Sequence, residues 1–205
     1  SHLFSPFRFW HINLAADLQW NRLDAKGTDM FNANFIQPRR ITALAALATS
    51  FNLDCGLDMQ ASVLYTYVHD MGKRKDIEPA KDKNIFAPAA LLSYRPWKKT
   101  DLPVRAFYKK IFRMPTFNDL YYVQTGSRDL RPEYTTQYDI GAAYRKRFAK
   151  GVFAGIEATA DAYYNTVKDK IIATPTSNQL VWTMVNLGLV RIKGIDIMLA
   201  PSFRF

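Results

Sequence analysis

From Phe9 to Asn21 the chain alternates with a period of two. The even positions Trp10, Ile12, Leu14, Ala16, Leu18 and Trp20 are apolar, and the odd positions His11, Asn13, Ala15, Asp17, Gln19 and Asn21 are polar but for Ala15. Successive side chains of an extended strand point to opposite faces, whereas a helix would mix the two sets. A soluble β-sandwich or lipocalin-like barrel also alternates, but it fills its interior with apolar side chains; with the face opposite Trp10–Trp20 polar, the apolar face here would be left exposed to water. A membrane barrel reverses the arrangement, with apolar residues toward lipid and polar ones toward a wet interior. Ten residues separate Trp10 from Trp20. At ~3.3 Å per residue and ~45° of tilt they stand roughly 23–25 Å apart along the membrane normal, the spacing of two aromatic girdles.

The pattern recurs. Leu57, Met59, Ala61, Val63, Tyr65 and Tyr67 oppose Asp58, Gln60, Ser62, Leu64 and Thr66; Tyr138, Ile140, Ala142 and Tyr144 oppose Gln137, Asp139, Gly141, Ala143 and Arg145. Ala154, Ile156, Ala158, Ala160, Ala162 and Tyr164 oppose Gly155, Glu157, Thr159, Asp161, Tyr163 and Asn165. Phe86–Tyr94 and Val104–Tyr108 are strands of weaker contrast. Gly188–Leu199 changes phase near Gly194, which predicts a bulge there. Ile41–Phe51 has helix-favouring Ala and Leu, but its place between strands assigns it to a strand. Links along this series alternate, long at 21–38, 70–84, 114–132 and 168–180, short at 52–54, 96–101 and 147–151. Short periplasmic turns and long extracellular loops have that rhythm. The expected fold is all-β: an antiparallel transmembrane β-barrel segment of about eight strands, roughly 9–15 residues each, with strand one running outward and Met30, Lys73, Tyr121 and Thr176 on outer loops. Ile156 is expected near the bilayer midplane, with Glu157 in the lumen.

Composition agrees. Of the 205 residues 48% are hydrophobic and 14% aromatic, yet no run of 18 apolar residues exists to form a transmembrane helix. The net charge of +10 suits an anionic partner, but the cations gather at strand ends, at Arg39-Arg40, Lys73–Lys75, Lys98-Lys99 and Arg145–Arg147. Phosphorylated lipid headgroups explain that placement, and no nucleic-acid-binding motif is present. The single Cys55 offers neither a disulfide nor a CxxC site. His2, His11 and His69 lack ligand spacing, so no metal site and no cofactor is expected. Nucleophilic catalysis finds no constellation: His69 and Asp70 are strand neighbours on opposite faces, and His11 and Asp17 share a face about 20 Å apart. The chain is expected not to be an enzyme.

The stretch Phe107–Glu133, FYKKIFRMPTFNDLYYVQTGSRDLRPE, resembles the barrel signature of TonB-dependent outer-membrane receptors. There a "GFRAPT" strand end precedes "NELY" and "G-N-x-L-K-P-E" segments. The counterparts are Phe112 to Thr116, Asn118 to Tyr121 and Gly126 to Glu133. Tyr163-Tyr164-Asn165, Lys168–Ile171, Val185–Gly188 and Lys193–Asp196 continue the likeness in order, so that residues 94–199 are close to the family and 1–93 share its general pattern. The resemblance implies the middle to later part of a 22-stranded barrel, with residues 1–205 as a partial barrel domain lacking the plug and the closing C-terminal strands. It implies the bacterial outer membrane, and as partners the membrane lipid, the N-terminal plug of the same parent chain, the TonB complex through that plug, and a small-molecule ligand. The implied function is energised uptake of a scarce nutrient such as an iron chelate (siderophore) or cobalamin; a small passive barrel, porin-like or structural, is the alternative. Family haem receptors tend to carry a His in the loop that here runs from Pro115 to Asp129, and this chain has none there. Tyr121, Tyr122 and Arg128 are candidates either for ligand contact or for plug packing and loop ordering. Asp17, Gln19, Arg113, Asp139, Glu157 and Asp161 are the candidates facing plug and lumen.

Overall fold

The computed structural model describes residues 2–24, 36–73, 78–97, 100–177 and 181–204; Met30, Arg74, Lys75, Lys98 and Lys99 lie outside them. Among the described residues nine strands form one sheet in simple sequence order: β1 (His2–Phe7), β2 (Trp10–Arg22), β3 (Arg39–Leu53), β4 (Leu57–Met71), β5 (Lys83–Tyr94), β6 (Val104–Arg113), β7 (Glu133–Arg147), β8 (Phe153–Pro175) and β9 (Trp182–Phe203). Every neighbouring pair is antiparallel. One short helix, α1 (Phe117–Tyr121), interrupts the link from β6 to β7.

Cross-strand partners share a face, so the registers carry the parity of β2 across the sheet. Trp10 lies opposite Phe51, Leu14 opposite Leu47, and Trp20 opposite Ile41. Leu47 then meets Val63, Val63 meets Pro88, Ile140 meets Ala106 and Ala162, and Ala162 meets Ile195. This continuous face is apolar. Leu18, Ile195 and Ile197 are each 72% exposed on it, far more than a water-facing sheet carries. Aromatic pairs border it: Trp10–Phe51 at 5.6 Å, Phe148–Phe153 at 5.2 Å and Phe153–Phe203 at 5.7 Å near the short links, and Tyr65–Phe86 at 4.9 Å, Tyr108–Tyr138 at 5.2 Å and Tyr138–Tyr164 at 6.5 Å toward the long ones.

Four expectations change. First, β1 adds a strand before Phe9. It is six residues long, its register shifts between Phe4 and Phe7, and it carries Pro6 inside that irregular stretch, where proline is tolerated. Second, β8 and β9 run for 23 and 22 residues, beyond the expected length. The expected last long link is instead mostly strand, turned by a hairpin in which the Thr176 amide donates to the Val181 carbonyl at 2.8 Å. Third, β8 and β9 stay in one register through Tyr163↔Gly194 and Ala162↔Ile195, with irregularity only between Phe153 and Gly155, so Gly194 makes no bulge. Its missing side chain leaves room for the Tyr163 ring, which a Cβ would strike. The hydropathy phase change is real but has another cause. Ile195, Ile197 and Leu199 share the apolar face, whereas Arg191 and Lys193 occupy it farther up, as the environment changes along an unbroken strand. Fourth, Ile156 pairs with Lys146 and sits three residues from Phe153, which puts it near one border of the apolar band and not at its middle.

Ile41–Phe51 lies within β3 as expected, since both its faces have cross-strand partners. The β5–β6 ladder ends at Ala89↔Lys109, one residue short of Pro88, whose missing N–H ends a ladder. Among the described residues few apolar side chains are buried, and six of them, Ile36, Ala80, Leu120, Tyr121, Leu130 and Ile171, form one cluster under the outer links.

Candidate functional site at the rim

The outer links converge on one buried ion pair. Arg40 of β3 and Asp70 of β4 are register partners on the polar face, and Arg40 donates to both carboxylate oxygens, Nε to Oδ1 at 2.6 Å and Nη2 to Oδ2 at 2.9 Å. Its Nη1 donates to the Pro115 carbonyl at 2.8 Å, and the guanidinium lies 5.0 Å from the Phe117 ring centre. The Tyr121 hydroxyl donates to Asp70 Oδ2 at 2.8 Å and accepts from the Ala80 amide at 3.0 Å. Two strands and two links are thereby fastened at one point. Burial, and next to it the Asp70 carboxylate, hold the Tyr121 phenol well above its ordinary pKa, so it stays a neutral donor. Arg40 therefore departs from the rim cation of the sequence reading: it is 8% exposed and paired, while its neighbour Arg39 takes the other face.

Helix α1 is set by a capping box. Thr116 Oγ1 accepts from the Asp119 amide at 3.1 Å, and Asp119 Oδ2 accepts from the Thr116 amide at 2.9 Å, which satisfies two otherwise free donors. Just after it, a Cβ on Gly126 would fall 2.7 Å from the Tyr122 backbone, so the turn needs glycine. The segment to Glu133 is then stitched to the last hairpin. Asn186 accepts from the Arg131 amide at 2.8 Å and donates to the Arg131 and Asp169 carbonyls at 2.9 and 2.8 Å. Arg131 pairs with Asp169 at 2.6 Å, and the Met184 amide donates to the Thr125 carbonyl at 2.8 Å. The motif residues thus work first as loop fasteners.

Of the three ligand candidates, Tyr121 is buried in the clamp. Tyr122 is 42% exposed, and exposed Arg128 donates to the Glu78 carbonyl at 3.0 Å. Asp17, Gln19, Arg113, Asp139, Glu157 and Asp161 all lie on the polar face by register. Gln19 donates to Asp17 at 2.9 Å, and Arg113 lies 3.5 Å from Glu133. Arg105 pairs with Asp161 at 2.6 Å and Arg145 with Glu157 at 3.0 Å. Arg105 reaches Asp161 across β7 over Gly141, where a Cβ would meet the Asp161 carboxylate. Residues that sequence reasoning missed are Arg40, Asp70, Arg105, Arg131 and Asn186. Their partners are distant in sequence and become visible only through register, although Thr116-x-x-Asp119 is a readable capping signal. His69 and Asp70 do face opposite ways. His69 meets Asp82 at 2.7 Å on the apolar-face side, and hydrogen bonds from Tyr67 and then His69 hold the Asp82 carboxyl below the usual range.

Among the described residues no group of His, Cys, Asp and Glu is arranged to hold a metal ion. The chain is 33% identical over 86 residues to the "Vitamin B12 transporter BtuB" of Vibrio vulnificus (strain YJ016), a match covering 42% of this chain and 13% of that protein. In fold it is similar to the Serratia marcescens hemophore receptor HasR solved with its hemophore HasA and heme (TM-score 0.73, 14% identity, 98% of this chain and 38% of that one). It is also similar to the copper transporter OprC (TM-score 0.72, 14% identity, 96% and 33%) and the FrpB iron transporter of Neisseria meningitidis (TM-score 0.66, 13% identity, 99% and 33%). The chain thus spans about a third of those solved chains. Residues 2–204 match the family described as "TonB dependent receptor-like, beta-barrel", so the two-faced sheet and its fastened outer links belong to a member of the TonB-dependent receptor β-barrel family.

Proposed function

We propose that these nine strands are part of the wall of a Gram-negative outer-membrane receptor that takes up a scarce nutrient, an iron chelate, cobalamin or similar compound, with energy from TonB relayed through the plug of the same parent chain. The observation that carries this reading is the buried Arg40–Asp70–Tyr121 fastening, which fixes outer links above a hydrated wall and so prepares a rigid rim for capture. Tyr122 and Arg128 are the rim side chains offered to ligand, and Asp17, Gln19, Arg113, Asp139, Glu157 and Asp161 face the plug. The transport names of the relatives support the class of function. The test is uptake of labelled cobalamin and of ferric siderophores by cells carrying the parent receptor, with and without TonB. Uptake of one of them that vanishes without TonB is expected; uptake indifferent to TonB would favour a passive barrel.

A further inference from the structure

We propose that the upper part of the β8–β9 hairpin, residues 170–177 and 181–187, is a flap over the receptor's mouth that swings about Asp169 and Gly188 and is latched by Asn186. The inference goes beyond the uptake reading and takes from it only that the long links face outward. Two irregularities meet at one level of the hairpin. Asp169 has a φ of 55°, in the left-handed region that residues other than glycine seldom adopt and that marks points of stored strain. Gly188 stands opposite it. The ladder passes from Lys168↔Leu189 to Lys170↔Leu187 without the pair between them. Glycine has the freest backbone of all residues, and nothing lies within 4 Å of where a Gly188 Cβ would stand, so packing does not hold this level rigid.

Above this level the hairpin is held by a link and not by the wall. The Thr176 amide bonds the Val181 carbonyl, and bonded and non-bonded pairs alternate along an antiparallel ladder, so Ala173↔Met184 is a non-bonded pair. The Met184 amide therefore points away from β8, and the Thr125 carbonyl receives it at 2.8 Å. The link between β6 and β7 thus reaches past β8 to the far edge of β9 and closes that edge, at this point, to any further strand. Asn186 completes the latch. Its side chain accepts from the Arg131 amide at 2.8 Å and donates to the Arg131 and Asp169 carbonyls at 2.9 and 2.8 Å, so one residue joins flap, hinge and link. Ile171 and Met184 pack with the buried cluster on the same side, which favours the closed position. Hinges are a few positions at loops and element ends that absorb a change in φ and ψ. Such a change at Asp169 and Gly188 carries the exposed Val181 and Trp182 toward the mouth or away from it.

The test uses the intact barrel containing these strands, in lipid vesicles. Spin labels are placed on the exposed Cys55 of the short β3–β4 turn and on Thr183→Cys in the flap; a second pair, Cys55 with Thr166→Cys, lies below the hinge. Double electron–electron resonance reads both distances. Asn186→Ala should broaden the Cys55–Thr183 distribution and leave the Cys55–Thr166 one as it was. Gly188→Val has room for its side chain and is stiff at χ1, so adding it to Asn186→Ala should narrow the distribution again. Amide exchange is the second readout. Loss of the Asn186 hydrogen bonds should quicken the Arg131 and Met184 amides on the order of ten- to a hundredfold and leave Thr166 and Arg191, below the hinge, unchanged. A Cys55–Thr183 distribution indifferent to Asn186→Ala, equal broadening of both pairs, or no effect of Gly188→Val would overturn the proposal. If the Asn186→Ala barrel does not insert, exchange in the wild type decides: Met184 should exchange faster than Thr166 and Arg191, and equal protection on both sides of Asp169 would refute the hinge. Both readouts are taken without any transported nutrient, so failure of the hinge and failure of the uptake reading are told apart.

Discussion

Truncating Asp70 to Ala would leave the Arg40 guanidinium buried without its counter-ion. Asp70 accepts three hydrogen bonds, from Arg40 Nε, Arg40 Nη2 and the Tyr121 hydroxyl, at 2.6, 2.9 and 2.8 Å. After truncation the Pro115 carbonyl is the one hydrogen-bond acceptor left to the cation among the described residues, beside the Phe117 ring. Breaking one side of a buried pair costs about 3–5 kcal/mol. Removing the hydroxyl in Tyr121→Phe leaves the Ala80 amide unpaired and costs about 1–3 kcal/mol. The double change Arg40→Met with Asp70→Leu removes both charges and their desolvation, so it should cost less than Asp70→Ala alone. The loss should be local, because the strand ladders are untouched. Amide exchange at Gly126, Ser127 and Met184, whose donors close the outer links, should quicken by roughly 10²–10³ in Asp70→Ala. The urea midpoint of the barrel in vesicles should move little. Unchanged exchange in Asp70→Ala, or a double variant no better than the single one, would refute the buried-pair argument.

Ile197→Arg, at the middle of the apolar band, should destabilise the intact barrel in vesicles by about 2–4 kcal/mol, whereas its neighbour Asp196→Asn on the polar face should change refolding stability little; equal losses would mean the faces are reversed. Gly194→Val should displace the Tyr163 ring and cost about 1–3 kcal/mol, seen in the same refolding assay, and a neutral result would deny the close packing. Because the Asp82 pKa is lowered, its contribution is complete above the ordinary value of 3.8 and is lost as pH falls through the depressed one; Asp82→Asn should flatten acid-induced loosening of this link only in that window, as followed by amide exchange. The 205-residue chain alone leaves edges at β1 and β9 and should aggregate unless detergent is present, which size-exclusion chromatography checks.

Strands β2, β4, β7 and β8 were legible because each puts opposite chemistries on its two faces, and that contrast survives without knowledge of neighbours. Strand β1 was not, since Pro6 and a shifted register leave too few residues to show a period. The upper parts of β8 and β9 misled for a subtler reason. Alternation reports surroundings rather than backbone, and beyond the apolar band the surroundings of Arg191 and Lys193 differ from those of Ile195. The clamp was hidden because Arg40 and Asp70 lie thirty residues apart. As isolated letters they read as a rim cation and the neighbour of a histidine; only the β3–β4 register makes them partners.

The Arg105–Asp161 bond has a mechanical consequence. It joins β6 to β8 and passes over β7 at Gly141, so it forms a chord on the polar side of three adjacent strands. When a sheet curls around a hollow, distances on the inside of the bend shorten while those on the outside lengthen. A short tie on the inside therefore favours bending toward itself and resists flattening. Arg145, reaching Glu157 on the neighbouring strand, spans too little of the arc to do the same. The absent side chain at Gly141 thus helps to set a radius, and replacing it by a bulky residue should open the wall at β7.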